Sequence, residues 1–360
     1  MYHFVRGRLP HAIQALHQEY GEVVRTAPDT LSFISPSAQT DIHTPTRARY
    51  LQKDMKMYPI RHPTVHSILT CSDADHARHR KAWSPAFSER ALREQQPLFD
   101  TYLDQLVGLL DQACASHDPT VDFVEAYNWT TFDLVGHLVF GAPFGCLSSS
   151  AYHPWVAIIF DNIKAGSLLQ AVKYYPWVFQ VLKRLIPTSL LRKRAAHDAF
   201  THERVAARLD GGSDMPDFFS YVLDRNEKAG LLLSQLEMEL DAATILIAGS
   251  ETTATTLSAI TYFLCRNPAV MERVTREVRG AFADEAAITG IAVGKLPYLT
   301  ACIEEGMRLL PAIPFGLARR VENCDGVRIS GHWVPVGVGF PPSQKQCFRL
   351  RSDVMTYATH

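Results

Sequence analysis

The sequence has no crowded cysteines, no long apolar run and no excess of one charge, and each absence excludes something. Seven cysteines stand at 71, 114, 146, 265, 302, 324 and 347, and no pair has the close spacing of a C-x-x-C metal or redox motif. Their odd number and wide scatter predict reduced, mostly buried thiols in a cytosolic compartment rather than a disulfide framework. No stretch approaches the ~20 apolar residues that a spanning helix needs. The most apolar segment, Ala242 to Cys265, is interrupted by Glu251 and several threonines. Residues 1–20 carry charges throughout and contain no apolar signal core, so the chain reads as cytoplasmic, with neither leader nor transmembrane anchor. A formal net charge of -1 leaves no whole-chain field for nucleic acid or an acidic partner. Internal repeats and low-complexity blocks are absent too.

What is present suits a globular protein. The chain has 360 residues, 47% hydrophobic and 20% charged, enough for one large domain or two modest ones around a sizeable core. Long segments have apolar residues at helical spacing, with short strand-like runs at Glu22–Arg25, Leu31–Ile34, Val327–Ile329 and His332–Val334. The fold class is therefore mainly α with small β-sheets. The clearest helix starts at Ser234, which forms a capping box with Glu237 and is flanked by a Leu233–Met238 staple. It carries Leu236, Leu240, Ala243 and Ile247 on one face and runs to about Cys265. Asn267 and Pro268 open the next helix, and Pro297 opens another that Pro311 and Pro314 stop. Gly211–Asp214 reads as a loop within a domain. After Gly337 the apolar period vanishes and a basic cluster appears at Lys345, Arg349 and Arg351. This divides the chain into residues 1–337 and an irregular tail, 338–360.

Three constellations carry possible chemistry. On the long helix, Ala248-Gly249-Ser250-Glu251-Thr252-Thr253 places a mid-helix glycine, costing about 1 kcal/mol relative to alanine, beside an acid and a hydroxyl. The missing side chain makes room for a flat ligand, and Glu251 with Thr252 can relay protons to a bound oxygen species. The alternative is close helix packing, with the hydroxyls bonded back to the preceding turn. Glu305 and Arg308, three apart on a helix, form either a surface ion pair or, among Ile303, Met307, Leu309 and Leu310, a buried one that requires further partners. His76 and Arg80, one turn apart, grip a carboxylate together or simply lie on a solvated face.

In this order and spacing the three resemble the cytochrome P450 family, over about Arg6 to Gly337. Ala248–Thr253 resembles the oxygen-activating motif (A/G)-G-x-(D/E)-T-(T/S). Glu305 to Arg308 matches E-x-x-R, in a helix that opens with Leu296-Pro297-Tyr298-Leu299. Gly316–Val321 resembles the G-L-P-R-x-V strand, with Ala318 in place of its proline, and Val327–Pro335 resembles I-x-G-x-x-I-P. The resemblance implies haem as cofactor, held by His76, Arg80, Gly249 and Arg319, with Glu251 and Thr252 catalytic and Glu305–Arg308 structural. It further implies a hydrophobic small-molecule substrate, NADPH-cytochrome P450 reductase as redox partner, and attachment to the endoplasmic reticulum membrane in intact members. In flavour it is closest to fungal monooxygenases of secondary metabolism.

The sequence departs from the family at the iron. The F-x-x-G-x-R-x-C-x-G loop that supplies the axial thiolate is absent, and Cys347 stands among Gln344, Lys345, Gln346 and Phe348 without its glycines. The thiolate donates the electron density that favours O–O cleavage. The expectation is a P450-like fold incomplete at the C-terminus, with no metal ligand and little or no monooxygenase activity. The alternatives are a haem-free helical protein that binds an apolar ligand or partner through a cavity near Tyr174–Trp177, and an unstable remnant without function.

Overall fold

The computed structural model describes residues 2–44, 51–58, 62–117, 119–158, 166, 171–173, 175–184, 188–211, 217–230, 232–314, 317–322 and 325–340. They belong to two compact units: Met1–Tyr58 with Ser167–Phe179 and Ala301–His360, and Pro59–Gly166 with Gln180–Thr300.

The first unit holds the strands β1 (Val23–Ala27), β2 (Thr30–Phe33), β3 (Gln52–Lys53), β4 (Arg319–Arg320), β5 (Val327–Ile329), β6 (His332–Val334) and β7 (Gly339–Phe340). Five of them form one sheet in the order β1-β2-β7-β4-β3, and β5 and β6 pair separately. The β5–β6 turn has Ser330 at φ 48° and Gly331 at φ 82°, the left-handed pair that two-residue hairpins favour. Asp41 holds the Ser330 N–H at 2.8 Å. Phe33, Ile42, Val321, Ile329, Val334 and Phe340 are among the residues that make the core of this unit.

The expected boundary after Gly337 falls inside that core. Val338 and Phe340 are buried, and β7 runs parallel to β2 and antiparallel to β4. Two apolar positions are too few to show a period, so the strand is invisible to sequence patterning. Residues 341–360, with Cys347 and the basic cluster, lie outside the described residues.

The second unit is helical. Its spine is the helix Gln235–Arg266, which packs along the helix Phe123–Phe140 in the most extensive helix contact of the chain. The capping box at Ser234 and Glu237 forms as the spacing predicts, and Leu233 and Met238 are both buried. The expected face is only partly the buried one: Ala243 is buried and Ile247 packs against the core. Leu236 is exposed, and Met238, Ala242, Leu246, Ser250 and Ala254 face inward at four-residue intervals. Apolar, small and hydroxyl-bearing residues are spread round the helix, so pattern alone does not choose its face, and small residues mark much of the packed side. Asn267 sits at the N-cap position of Pro268–Ala281, but its amide donates to the Phe263 carbonyl at 2.8 Å, closing the preceding helix instead. Gly211 ends the helix Thr188–Gly211, and the rest of the expected loop, 212–214, is outside the described residues.

Of the five described cysteines only Cys71 and Cys146 are buried; Cys114 and Cys265 are exposed, against the expectation of mostly buried thiols, and none of the five is in a disulfide. Two buried carboxylates organise the turns. Asp217 receives Arg208, whose Nη2 also donates to Ser220 at 2.9 Å. Asp133, 2% exposed, accepts the N–H groups of Phe144 (3.0 Å), Cys146 (3.0 Å) and Leu147 (2.8 Å).

Asp133→Ala strands those three donors in the core. At about 1–3 kcal/mol for each buried unsatisfied group, urea unfolding should show a loss of about 3 kcal/mol or more, with Asp133→Asn losing less because it keeps one acceptor oxygen. A loss below about 1 kcal/mol for the alanine variant would show that the turn is held by other means.

Candidate functional site

In the second unit the motif residues lie at mid-length of the long helix. A Cβ at Gly249 would meet both methyls of Val135 at 3.3 Å, so the glycine lets Phe123–Phe140 approach. Helix packing thus uses the space that a flat ligand was expected to take. The hydroxyls follow the local alternative as well: Thr252 donates to the Ala248 carbonyl at 2.6 Å and Thr253 to the Gly249 carbonyl at 2.7 Å. Thr252 therefore commits its hydrogen and keeps its oxygen lone pairs to accept.

Glu251 differs from its neighbours. Its Oε2 is buried and has no hydrogen-bond partner among the described residues. Burial pushes the carboxyl above the ordinary carboxylate range, because low dielectric disfavours the charged form. An acid that holds its proton without a fixed acceptor can hand it to a ligand.

His76 and Arg80 share the helix Asp73–Trp83, which Ser72 caps through the Asp75 N–H at 3.2 Å. His76 is half-buried and Arg80 exposed. Sequence reasoning missed the other side of this helix. His79 Nδ1 (2.6 Å) and Trp83 Nε1 (2.7 Å) meet Oδ2 of Asp241 on the long helix, and Arg78 Nη2 reaches Glu237 at 2.5 Å. Burial raises the Glu237 carboxyl, but Arg78 together with the N–H and hydroxyl of Ser234 outweighs it, holding it down at about 2. The sequence shows only an aspartate one turn beyond the capping box, after Glu237 and Glu239, and nothing near it points to these partners. A cavity of about 190 Å³ adjoins the network, lined by His66, Cys71, His79 and Glu237 among others. Among the described residues no three of His, Cys, Asp or Glu are grouped so as to hold a metal ion.

In the first unit, adjacent arginines in β4 have different roles. Arg320 is bound by Asp29 (3.1 Å), Asp54 (3.2 Å) and the Gly337 carbonyl (2.5 Å). Arg319 is half-buried, and among the described residues no hydrogen bond or ion pair engages its guanidinium. Glu305 and Arg308 form a two-pronged pair, with Nε–Oε2 and Nη2–Oε1 both at 2.6 Å and side chains 39% and 18% exposed, between the surface and buried expectations. Tyr175 and Trp177, expected to line an apolar cavity, are 50% and 73% exposed. That removes the support for a haem-free ligand site there, and Tyr174 is outside the described residues.

Against haem, the residues give a divided answer. Taken each in its own unit, Glu251 with its unpartnered oxygen suits a group that receives protons, and Arg319, unengaged among the described residues, suits one that carries carboxylates. The axial ligand does not fit. Cys71 lies in the cavity wall and Cys146 is buried, with its thiol pushed up to about 11 by burial, so it stays protonated at neutral pH. No described cysteine lies in an F-x-x-G-x-R-x-C-x-G loop; Cys146 follows Gly141 and Gly145, but its N–H is held by Asp133.

The family model described as Cytochrome P450 matches residues 1–340. Cytochrome P450 monooxygenase astJ of Aspergillus oryzae is 39% identical over 345 residues, 95% of this chain and 68% of its own length. Averantin hydroxylase of Dothistroma septosporum is 38% identical over 92% of this chain and 62% of its own length. Cytochrome P450 monooxygenase FUM2 of Gibberella moniliformis is 38% identical over 97% and 74%. The chain spans about two thirds of the length of these curated relatives.

The raised Glu251 carboxyl has a signed consequence. Its contribution favours the fold fully below the unfolded-state pKa and is lost as pH rises through the higher folded value. Glu251→Gln, neutral throughout, should therefore unfold at a higher urea concentration than the parent at about pH 8 and show no such advantage at about pH 4. An equal difference at both pH values would place Glu251 in an ordinary aqueous setting.

Proposed function

The chain belongs to the cytochrome P450 family, and from that premise we propose that it derives from a haem-thiolate monooxygenase of fungal secondary metabolism that oxidises a hydrophobic small molecule. The observation that carries this is Glu251: a buried acid with an unpartnered oxygen, beside a threonine whose lone pairs are free to accept, on the long helix that crosses the second unit.

Haem, when bound, supplies the activation of dioxygen, with a reactivity set by its axial ligand. The residues of this chain divide the remaining work. His76 and Arg80 in the second unit would hold propionate, and Arg319 in the first unit would offer the same chemistry, since a guanidinium has a planar donor fork that matches a carboxylate. Glu251 would hold a proton at its carboxyl until a ligand takes it, and the Thr252 oxygen would accept a hydrogen bond from that ligand. Gly249 would act indirectly, by setting how closely the neighbouring helix approaches. The Glu305–Arg308 pair would stiffen the helix Pro297–Leu309. Electrons would come from NADPH-cytochrome P450 reductase, the family's usual partner. No helix among the described residues is long and apolar enough to cross a membrane.

The same reading assigns these 360 residues little or no monooxygenation by themselves, because they contain no F-x-x-G-x-R-x-C-x-G loop. When the chain is produced with haem supplied, reduced and exposed to CO, we expect haem to be retained without the absorbance shift of a thiolate ligand. A thiolate-type shift would overturn the inactivity. Complete failure to retain haem would overturn the propionate assignments.

A further inference from the structure

Asp241 is wholly buried, and three donors converge on it. The Ile68 N–H reaches Oδ1 at 2.6 Å, while His79 Nδ1 (2.6 Å) and Trp83 Nε1 (2.7 Å) share Oδ2. A carboxylate oxygen only accepts, so His79 carries its hydrogen on Nδ1, and its Nε2, 3.6 Å from Glu237 Oε1, has no hydrogen-bond partner among the described residues. One turn earlier Arg78 joins the same two helices, through Glu237 at 2.5 Å and the Leu232 carbonyl at 2.5 Å. His79, Trp83 and Asp241 are each at most 2% exposed, so water does not compete for these bonds.

We infer that Asp241 is a positioning residue: it fixes the rotation of the helix Asp73–Trp83 about its own axis, and with it the direction in which His76 and Arg80 are presented. This rests on the reading of His76 and Arg80 as carboxylate-binding residues. At about 100° per residue, His79 and Trp83 lie about 60° round the helix from His76 and Arg80 respectively. The clasped stripe thus runs alongside the presenting stripe, offset by the same angle at both turns. Apolar packing through Ala82 and the Trp83 ring is compatible with small rotations, because such contacts are not directional. Two N–H donors on one carboxylate oxygen are directional, and a slip by one residue, about 100°, would break both. The Ile68 N–H adds the preceding segment to the same anchor.

The test uses the full chain and two readouts. Hydrogen exchange of amides 73–83 reports whether the helix is docked. Haemin titration, followed by its absorbance, reports what the helix presents. Asp241→Leu is expected to speed exchange of those amides at least tenfold and to weaken haemin binding at least tenfold, matching Arg80→Ala in affinity while Arg80→Ala leaves exchange unchanged. Should Asp241→Leu fail to fold, Trp83→Phe removes only the indole donor and keeps the ring against Phe219. It should give about threefold in each readout. Faster exchange with haemin affinity within twofold of the parent, while Arg80→Ala still weakens binding, would overturn the positioning role and leave a merely structural clasp. Unchanged exchange in both clasp variants would overturn the clasp itself. If Arg80→Ala and His76→Ala both leave haemin affinity unchanged, the carboxylate-binding reading fails and the positioning role with it, a result distinct from the other two.

Discussion

Where the long helix passes Phe123–Phe140, the place of a Cβ on Gly249 is 3.3 Å from two methyls of Val135, so the backbones come closer than any larger residue permits without displacing its neighbour. That approach lies at mid-length of a helix of 32 residues, and the acid and hydroxyls of the motif follow immediately after it. A glycine at mid-helix weakens the helix by about 1 kcal/mol relative to alanine. Burial of Leu246, Ser250 and Ala254 along the same face offsets this. The hydroxyls of Thr244, Ser250, Thr252, Thr253, Thr256 and Ser258 all bond to carbonyls four residues back. In that way an apolar environment accommodates them without stray polar groups.

Carboxylates then set the directions that apolar packing leaves free. Asp133 gathers the backbone of the turn after Phe140, Asp217 holds Arg208, and Asp241 clasps the helix Asp73–Trp83. Each is buried and surrounded by N–H donors, the condition under which a buried carboxylate supports a fold rather than burdening it. Glu251 is the exception on the same helix: its Oε2 has no such donor, and it is the residue whose environment favours the protonated form. Strained or unsatisfied groups of this kind tend to gather where chemistry occurs.

Local signals in the sequence were legible because their partners are near. Ser234 and Glu237 are three apart, as are Glu305 and Arg308, and both pairs form as the spacing predicts. The strands β5 and β6 were legible as strand-like runs at Val327–Ile329 and His332–Val334, and they pair as neighbours across the Ser330–Gly331 turn. Gly249 was recognised as a residue that makes room, but which neighbour takes the room is a matter of tertiary packing. Asp241 was invisible because its three donors lie 158, 162 and 173 residues away. β7 was lost for the same reason: two residues become a strand only because β2 and β4 are there to receive them. Nothing in local periodicity distinguishes Arg319 from Arg320, yet Asp29 and Asp54 occupy one, and the other is unengaged among the described residues.

The dependence of the helix pair on Gly249 and Val135 can be measured directly by a double-mutant cycle in urea unfolding. Gly249→Leu overpacks the crossing and should lose about 2–3 kcal/mol. In a Val135→Ala background, where both methyls are gone, much of that loss should be recovered, giving a coupling energy of about 1 kcal/mol or more. Additive effects of the two substitutions would mean that the helices do not rely on this contact, contradicting the account of what holds the motif in place.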